Sequence, residues 1–246
     1  MIRLISILTK SLRFSIKKRF RGRNKDDLLF FLTDLGPTFI KLGQIIALRP
    51  DVFGSETSEE LFDLLDSTPY IDDIEVVIQE ALRSIDINKT FQNISKKPIG
   101  SASLAQVHTA IYKGKPVAIK VLKPNVRELV KKDLKFLKFL AWLLKWLPQY
   151  NQHTMIIEDF IMWTTYELDY EIELRNMIEY RENAIHSDLK VPSLYPEVSN
   201  KDILVQEYIQ GQSLADMIRG DTDTPEQLGK NLLEQILKTF LQLHSL

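Results

Sequence analysis

From Gln106 to Tyr112 polar and apolar residues alternate, and after Gly114-Lys115-Pro116 comes the apolar run Val117-Ala118-Ile119. Period-two spacing on both sides of a glycine-bearing turn predicts an antiparallel hairpin whose second strand ends at Lys120. Elsewhere the repeat is helical. Asp26 to Leu48 reads as helix broken at Gly36-Pro37, where one helix stops and another starts. Arg49-Pro50-Asp51 closes that segment, and two helices follow around Ser58 to Leu65 and Ile71 to Ile85. From Phe91 strands take over, which puts a boundary near residue 90. Val126 to Leu147, rich in leucine, tryptophan and lysine, predicts a long helix ended by Pro148, and a densely acidic helix spans Tyr166 to Asn176. Lys201 to Gly211 is a short apolar strand running into polar sequence. Ser213 to Ile218 and Glu226 to Leu243 close the chain as helices, the second with an apolar stripe of Leu232, Leu233, Ile236, Leu237, Phe240 and Leu241.

Charge changes this picture at the start of the chain. Net charge is only −1 over 246 residues, yet the first 25 residues hold Arg3, Lys10, Arg13, Lys17, Lys18, Arg19, Arg21, Arg23 and Lys25 and no acid. Apolar residues such as Ile2, Leu4, Ile7, Leu8, Leu12 and Ile16 interleave with them. Two readings fit: an amphipathic helix at an anionic membrane surface, or a helix packed on its own domain. The interrupting cations and the lack of a small-residue cleavage site exclude a signal peptide and a spanning helix. No recognisable nucleic-acid reader follows the basic stretch, so no nucleic-acid partner is expected. Lys131, Lys135, Lys138 and Lys145 share a stripe of the long leucine-rich helix, which leaves that helix interfacial or packed and not inserted.

The absence of cysteine excludes disulfides, thiolate metal sites and cysteine nucleophiles. His108, His153, His186 and His244 are scattered without ligand spacing, so no metal site is expected from them.

The chemistry lies elsewhere. In Gly100-Ser101-Ala102-Ser103 no bulky side chain keeps backbone N–H groups from phosphate oxygens. Lys120, on the following hairpin, is placed to meet nucleotide phosphates if a glutamate from a nearby helix holds it, as in kinases. Lys41 and Gln44, three apart, share a helical face. Treated as one helix at about 100° per residue, the acidic segment puts Asp169 and Glu173 on one face, with Asn176 near it and Glu167 roughly 120° away from Glu173. Two faces imply two partners, one glutamate for Lys120 and the other for Lys41. The plainer alternative is a solvated helix with local pairs to Arg175. Glu207, at the end of the late strand, stands where an adenine-binding hinge would begin.

In this order the segments resemble the UbiB/ADCK family of atypical kinase-like proteins, which support ubiquinone biosynthesis. The K-x-G-Q motif is Lys41-Leu42-Gly43-Gln44, and the alanine-rich loop is Gly100 to Ser103, between Pro98-Ile99 and Gln106-Val107. The strand lysine is Lys120, the E-x-D motif is Glu167-Leu168-Asp169, and the downstream glutamate is Glu173. The resemblance covers roughly residues 20 to 246.

It implies an α+β fold: a protein-kinase-like small lobe (91–210) with an N-terminal helical extension (26–90) across the nucleotide cleft. A basic amphipathic segment (1–25) precedes these, and a truncated, helical start of the large lobe (211–246) follows. It also implies ATP or ADP as cofactor, bound by Gly100, Ser101, Ala102, Ser103, Lys120 and Glu207. Lys41, Gln44, Glu167, Asp169 and Glu173 are the implied catalytic residues. Glu173 orients Lys120, while Lys41 and Gln44 reach over the site toward Glu167 and Asp169 and block the groove used by protein substrates. ATP hydrolysis or a small lipid-like substrate is then expected over protein phosphorylation. The implied partners are a quinone or prenylated lipid intermediate, a membrane surface, and a partner protein or second chain. The implied location is peripheral on the cytoplasmic side of the inner membrane, or the cytoplasm. A non-enzymatic nucleotide-sensing or membrane-docked helper is the alternative.

Two departures carry their own expectations. Gly100 replaces the first alanine of the loop and should add backbone freedom. The family also has a catalytic loop and a magnesium-binding aspartate, and these have no counterpart here. About 35 residues follow Gly211, where a kinase-like large lobe needs well over a hundred. The expectation is a catalytically incomplete chain whose last apolar stripe is exposed, self-associated or poorly ordered.

Overall fold

The computed structural model describes residues 2–21, 26–65, 70–83, 85–183 and 191–211, with 229, 230 and 233. It begins with helices α1 (Ile2–Arg21), α2 (Asp27–Leu35), α3 (Pro37–Ala47), α4 (Pro50–Phe53), α5 (Ser55–Glu60), α6 (Ile74–Leu82) and α7 (Ile87–Thr90). Strands β1 (Phe91–Gln92), β2 (Gly100–Ser101), β3 (Ala105–Tyr112) and β4 (Lys115–Leu122) follow. Helices α8 (Val126–Leu144), α9 (Asn151–Glu167) and α10 (Tyr170–Asn183) then intervene before β5 (Ile203–Glu207). The expected helix at Ser213 to Ile218 lies outside the described residues, as does most of the one at Glu226 to Leu243.

The strands pair antiparallel in the order β1-β3-β4-β5, with β2 also on β3. Lys113 and Gly114, with φ of 47° and 75°, form the two-residue connection between β3 and β4. Both central residues have the positive φ that matches the twist of the flanking strands. β4 runs two residues past the expected end at Lys120, because Val121 and Leu122 are buried and pair on with Gln106 and Ala105.

Each sheet face carries its own core. On one side Val117, Ile119, Val121, Ile203 and Val205 pack with Ile74, Ile78 and Leu82 of α6. On the other, Ala105, Leu122 and Leu204 join Phe39 of α3, Val130 and Leu134 of α8, Phe160 of α9 and Tyr170 of α10. Helices from before residue 90 therefore enter both cores, and neither core stops there.

The face of β3 toward the first core holds polar residues. Gln106 and His108 are fully buried, and both are satisfied. Gln106 bonds the Ile71 backbone through both ends of its amide (2.9 and 3.1 Å) and lies 3.0 Å from His108 Nε2. His108 Nδ1 donates to the Ser95 carbonyl at 2.6 Å, which leaves Nε2 as acceptor for Gln106. A buried amide and imidazole would be costly unpaired, and here they tie two loops to the strand.

The first turns of the basic N-terminal helix pack on the domain. Arg3 donates to both oxygens of the fully buried Asp133 on α8, at 2.6 and 2.9 Å, and to the Leu35 carbonyl at 2.5 Å. Thr38 adds a third donor to Asp133 at 2.7 Å, and Ile7 enters the second core. Among the described residues no helix is long and apolar enough to cross a membrane.

The acidic segment expected as one helix is two. Leu168 turns inward into the core, and the Asp169 side chain accepts the Glu171 N–H at 3.0 Å, which starts α10 afresh. Pro50 likewise opens α4 instead of closing the preceding helix, since proline suits a first helical turn.

Candidate functional site

Lys120 lies on β4 opposite Val107 and Leu204, pointing to the face that α10 covers. Its ammonium reaches both oxygens of Glu173 on α10, at 2.9 and 2.7 Å. It also sits 4.9 Å from the centre of the Tyr170 ring. The Lys120 and Glu173 side chains remain 32% and 38% exposed, and pairs so open to water contribute about 0–1 kcal/mol. Stability is therefore not their main consequence. What the arrangement supplies is a cation held at a fixed point beside an opening. Tyr170 was not singled out from sequence. Burial, then the nearby Glu173 and Glu167 carboxylates, push its phenol well above the usual range, so it stays neutral under the lysine.

Lys41 of α3 forms an ion pair with Glu167 at the end of α9. The rest of the K-x-G-Q segment explains how α3 gets there. A Cβ on Gly43 would stand 2.5 Å from Leu64 Cδ1 and 2.8 Å from Leu32 Cδ1, so only glycine allows this approach. Gln44 donates to the Leu64 carbonyl at 2.7 Å. It is thus turned from the expected course over the site and ties α3 to the turn at Phe62–Leu64 instead. Asp169 is likewise used as the cap of α10, not aimed at Lys41. The structure joins Lys41 with Glu167 and Lys120 with Glu173. The helix break means that these acids separate by belonging to different helices and not by angle on a common one.

Glu167 and Glu173 line one cavity of about 540 Å³, whose apolar wall includes Tyr166, Ile172, Met177 and Tyr180. The small-residue loop is the tip of the β2–β3 hairpin. Ile99 N–H donates to Val107 at 2.8 Å, and Ala102 N–H to the Ala105 carbonyl at 2.8 Å. Ser103 is buried, and Gly100 pairs with Val107 within β2. Gly100 shows no positive φ, and a Cβ there would meet nothing within 4 Å. Its expected extra freedom is not used in this conformation. Lys123, a second residue absent from the sequence reading, donates to the Ala102 carbonyl at 2.6 Å. Burial pulls its ammonium below the usual lysine range. Its only advance signal was a position three residues beyond Lys120. Glu207 accepts the Ser193 N–H at 3.1 Å, and its own N–H donates to the Ser193 carbonyl at 2.7 Å. Its carboxylate therefore fastens β5 to the segment beside it. Among the described residues no group of three or more His, Cys, Asp or Glu side chains is placed to hold a metal ion.

Comparison with known proteins agrees with this arrangement of elements. The family model described as ABC1 atypical kinase-like domain matches residues 60–246. An uncharacterized protein of Synechocystis sp. is 36% identical over 204 residues, covering 80% of this chain and 36% of that protein. A protein named Probable protein kinase UbiB from Actinobacillus pleuropneumoniae is 32% identical over 232 residues, covering 85% of this chain and 42% of its own length. The solved structure of an Rv3197–erythromycin complex from Mycobacterium tuberculosis superposes with a TM-score of 0.52 at 25% identity, over 91% of this chain and 53% of that one. The chain spans about two-fifths of the length of the curated relatives it matches.

Proposed function

The chain belongs to the UbiB/ADCK family, with its ABC1 atypical kinase-like domain, and we propose that it binds ATP or ADP at Lys120. The observation that carries the reading is the Lys120–Glu173 pair of 2.7 Å on the face of the sheet toward α10. A polyphosphate carries several negative charges and needs a cation that is fixed yet still reachable by solvent. A lysine about one-third exposed and gripped by one carboxylate meets both requirements. Gly100 to Ser103 would cover the phosphates, with Lys123 steadying that loop through the Ala102 carbonyl. Glu207 would lie beside the base. Gly100 to Ser103 and Lys120 would supply the phosphate contacts, and no step is assigned to magnesium.

The Lys41–Glu167 pair favours nucleotide hydrolysis or sensing over protein phosphorylation, since it ties α3 to α9 beside the cavity that Glu167 and Glu173 share. The apolar part of that cavity suits a quinone or prenylated lipid. On the family ground a role in ubiquinone biosynthesis follows.

Calorimetric titration with ATP and ADP tests the binding step. Saturable binding is expected, with affinity weakened about tenfold or more (at least 1.4 kcal/mol) in Lys120→Ala. Glu173→Gln should weaken it less, because the cation remains. Equal affinity in the parent chain and Lys120→Ala would remove the assignment.

A further inference from the structure

One fully buried carboxylate lies outside the candidate site, yet three separate elements converge on it. It is Asp133 of α8, 0% exposed. Arg3 of α1 reaches both its oxygens, at 2.6 and 2.9 Å, and with the same guanidinium donates to the Leu35 carbonyl at the end of α2, at 2.5 Å. The Thr38 hydroxyl, also fully buried, donates to Asp133 at 2.7 Å from the first turn of α3. Between α2 and α3 the chain turns at Gly36 with φ of 103°, and a Cβ there would stand 3.9 Å from the Arg3 guanidinium. The start of α1, the α2–α3 corner and α8 are thus joined at one side chain. A buried ion pair that loses one partner leaves a charge with neither water nor counter-charge, so this junction is stiff.

Three residues beyond Thr38, about 4.5 Å further along the axis, α3 carries Lys41. Its pair with Glu167 is of the opposite kind, for the Glu167 side chain is 53% exposed. Such a pair contributes little and cannot by itself place a helix. Phe39 and Ile40 hold α3 on the core, but apolar burial is non-directional and defines the slide of one helix along another less sharply than a hydrogen bond does. Gly43 and Gln44 fix α3 against Leu64, which belongs to the same N-terminal extension and not to the α8–α9 pair. The bond from Thr38 to Asp133 is the buried, directional tie between α3 and α8, against which α9 packs with Glu167 at its end.

We propose that Asp133 is a positioning residue for the candidate site: through Thr38 it sets α3 where Lys41 meets Glu167, and it does so only while Arg3 balances its charge. Attachment of the first turn of α1 then governs how firmly Lys41 is held beside the cavity that Glu167 and Glu173 line. The inference stands apart from the nucleotide reading, since neither the contact nor its test involves a nucleotide.

Pulse acetylation of the 246-residue chain, read lysine by lysine by mass spectrometry, is the test. Thr38→Val keeps the branched shape and removes the donor to Asp133. Labelling of Lys41 should then rise about two- to fivefold, the range that the weak energy of an exposed pair allows. Lys120, held by Glu173 of α10, should label as in the parent chain. Thr38→Ser returns the hydroxyl and should return the parental rate. Arg3→Met should act as Thr38→Val does, and Arg3→Lys, which keeps the charge but loses the two-pronged contact, should fall between. Ile78→Val lowers stability through the other core and should leave Lys41 labelling unchanged. Should circular dichroism show that Arg3→Met does not fold, the two Thr38 variants still decide. Unchanged Lys41 labelling in Thr38→Val would overturn the proposal. So would a rise shared equally by Lys120 or reproduced by Ile78→Val, since either would make Asp133 a general stabiliser of the fold.

Discussion

Gly43 and Gly100 are both motif glycines, and their surroundings assign them opposite consequences. At Gly43 an added methyl would press on Leu64 and Leu32, two core side chains with little room to withdraw. Gly43→Ala should therefore lower stability by about 1–3 kcal/mol, the usual range for overpacking. At Gly100 the backbone is extended and the space is open, so Gly100→Ala should be neutral or stabilise by about 0.4–1 kcal/mol through the unfolded chain. Urea denaturation of the two variants decides the matter. The opposite order would mean that the loop, and not the helix contact, is the close-packed point.

Helices α3, α9 and α10 show what a sequence discloses about elements and what it hides. The β3–β4 hairpin and the body of α8 were legible because their repeats are long and the hairpin carries a turn signal, although α8 stops at Leu144, short of the expected end at Leu147 before Pro148. The break between α9 and α10 was not, since the periodicity of Tyr166 to Asn176 continues through it. It depends on the burial of Leu168 and the capping of Glu171 by Asp169, and both are tertiary or local facts without a repeat. The acidic pattern alone narrowed the lysine–glutamate partnerships to two acids and two lysines, because angles on a single imagined helix could not order them, and it was the family resemblance that set Glu173 on Lys120 and aimed Lys41 toward Glu167 and Asp169. Gln44 was misplaced for a related reason: a shared face with Lys41 does not tell a long side chain which backbone carbonyl is nearest.

The resulting geometry makes a pairwise claim. Reversing Lys41 to Glu should cost little, and reversing Glu167 to Lys in the same chain should recover part of that cost, with a coupling of about 0.2–1 kcal/mol because Glu167 is open to water. Lys41→Glu with Asp169→Lys should show no such recovery, since Asp169 serves α10. A double-mutant cycle on urea midpoints measures both, and coupling to Asp169 instead of Glu167 would reverse the assignment.

Over the whole molecule the sheet is the shared wall of two cores, and the side that carries the candidate chemistry is not the side that carries His108. Acid therefore reaches the fold by a route separate from Lys120. Burial lowers the His108 pKa from 6.5, partly offset by its bond to the Ser95 carbonyl. The imidazole is neutral in the fold, whereas the unfolded chain takes up a proton near pH 6.5. Below that value the unfolded state binds more protons, so stability falls as pH falls from about 6.5 through the lower folded pKa, and it is fully present above 6.5. Each unit of depression corresponds to about 1.4 kcal/mol. Protonation would also set an N–H at Nε2 against the Gln106 amide that now donates to it, loosening the ties to Ile71 and Ser95. Global unfolding followed between pH 7.5 and 5 should show this slope, and His108→Gln should flatten it even though its baseline stability is lower. The His108 ring resonances should titrate below 6.5 in the folded protein. A ring that titrates at or above that value would mean that the two loops are tied to β3 by something other than a neutral imidazole.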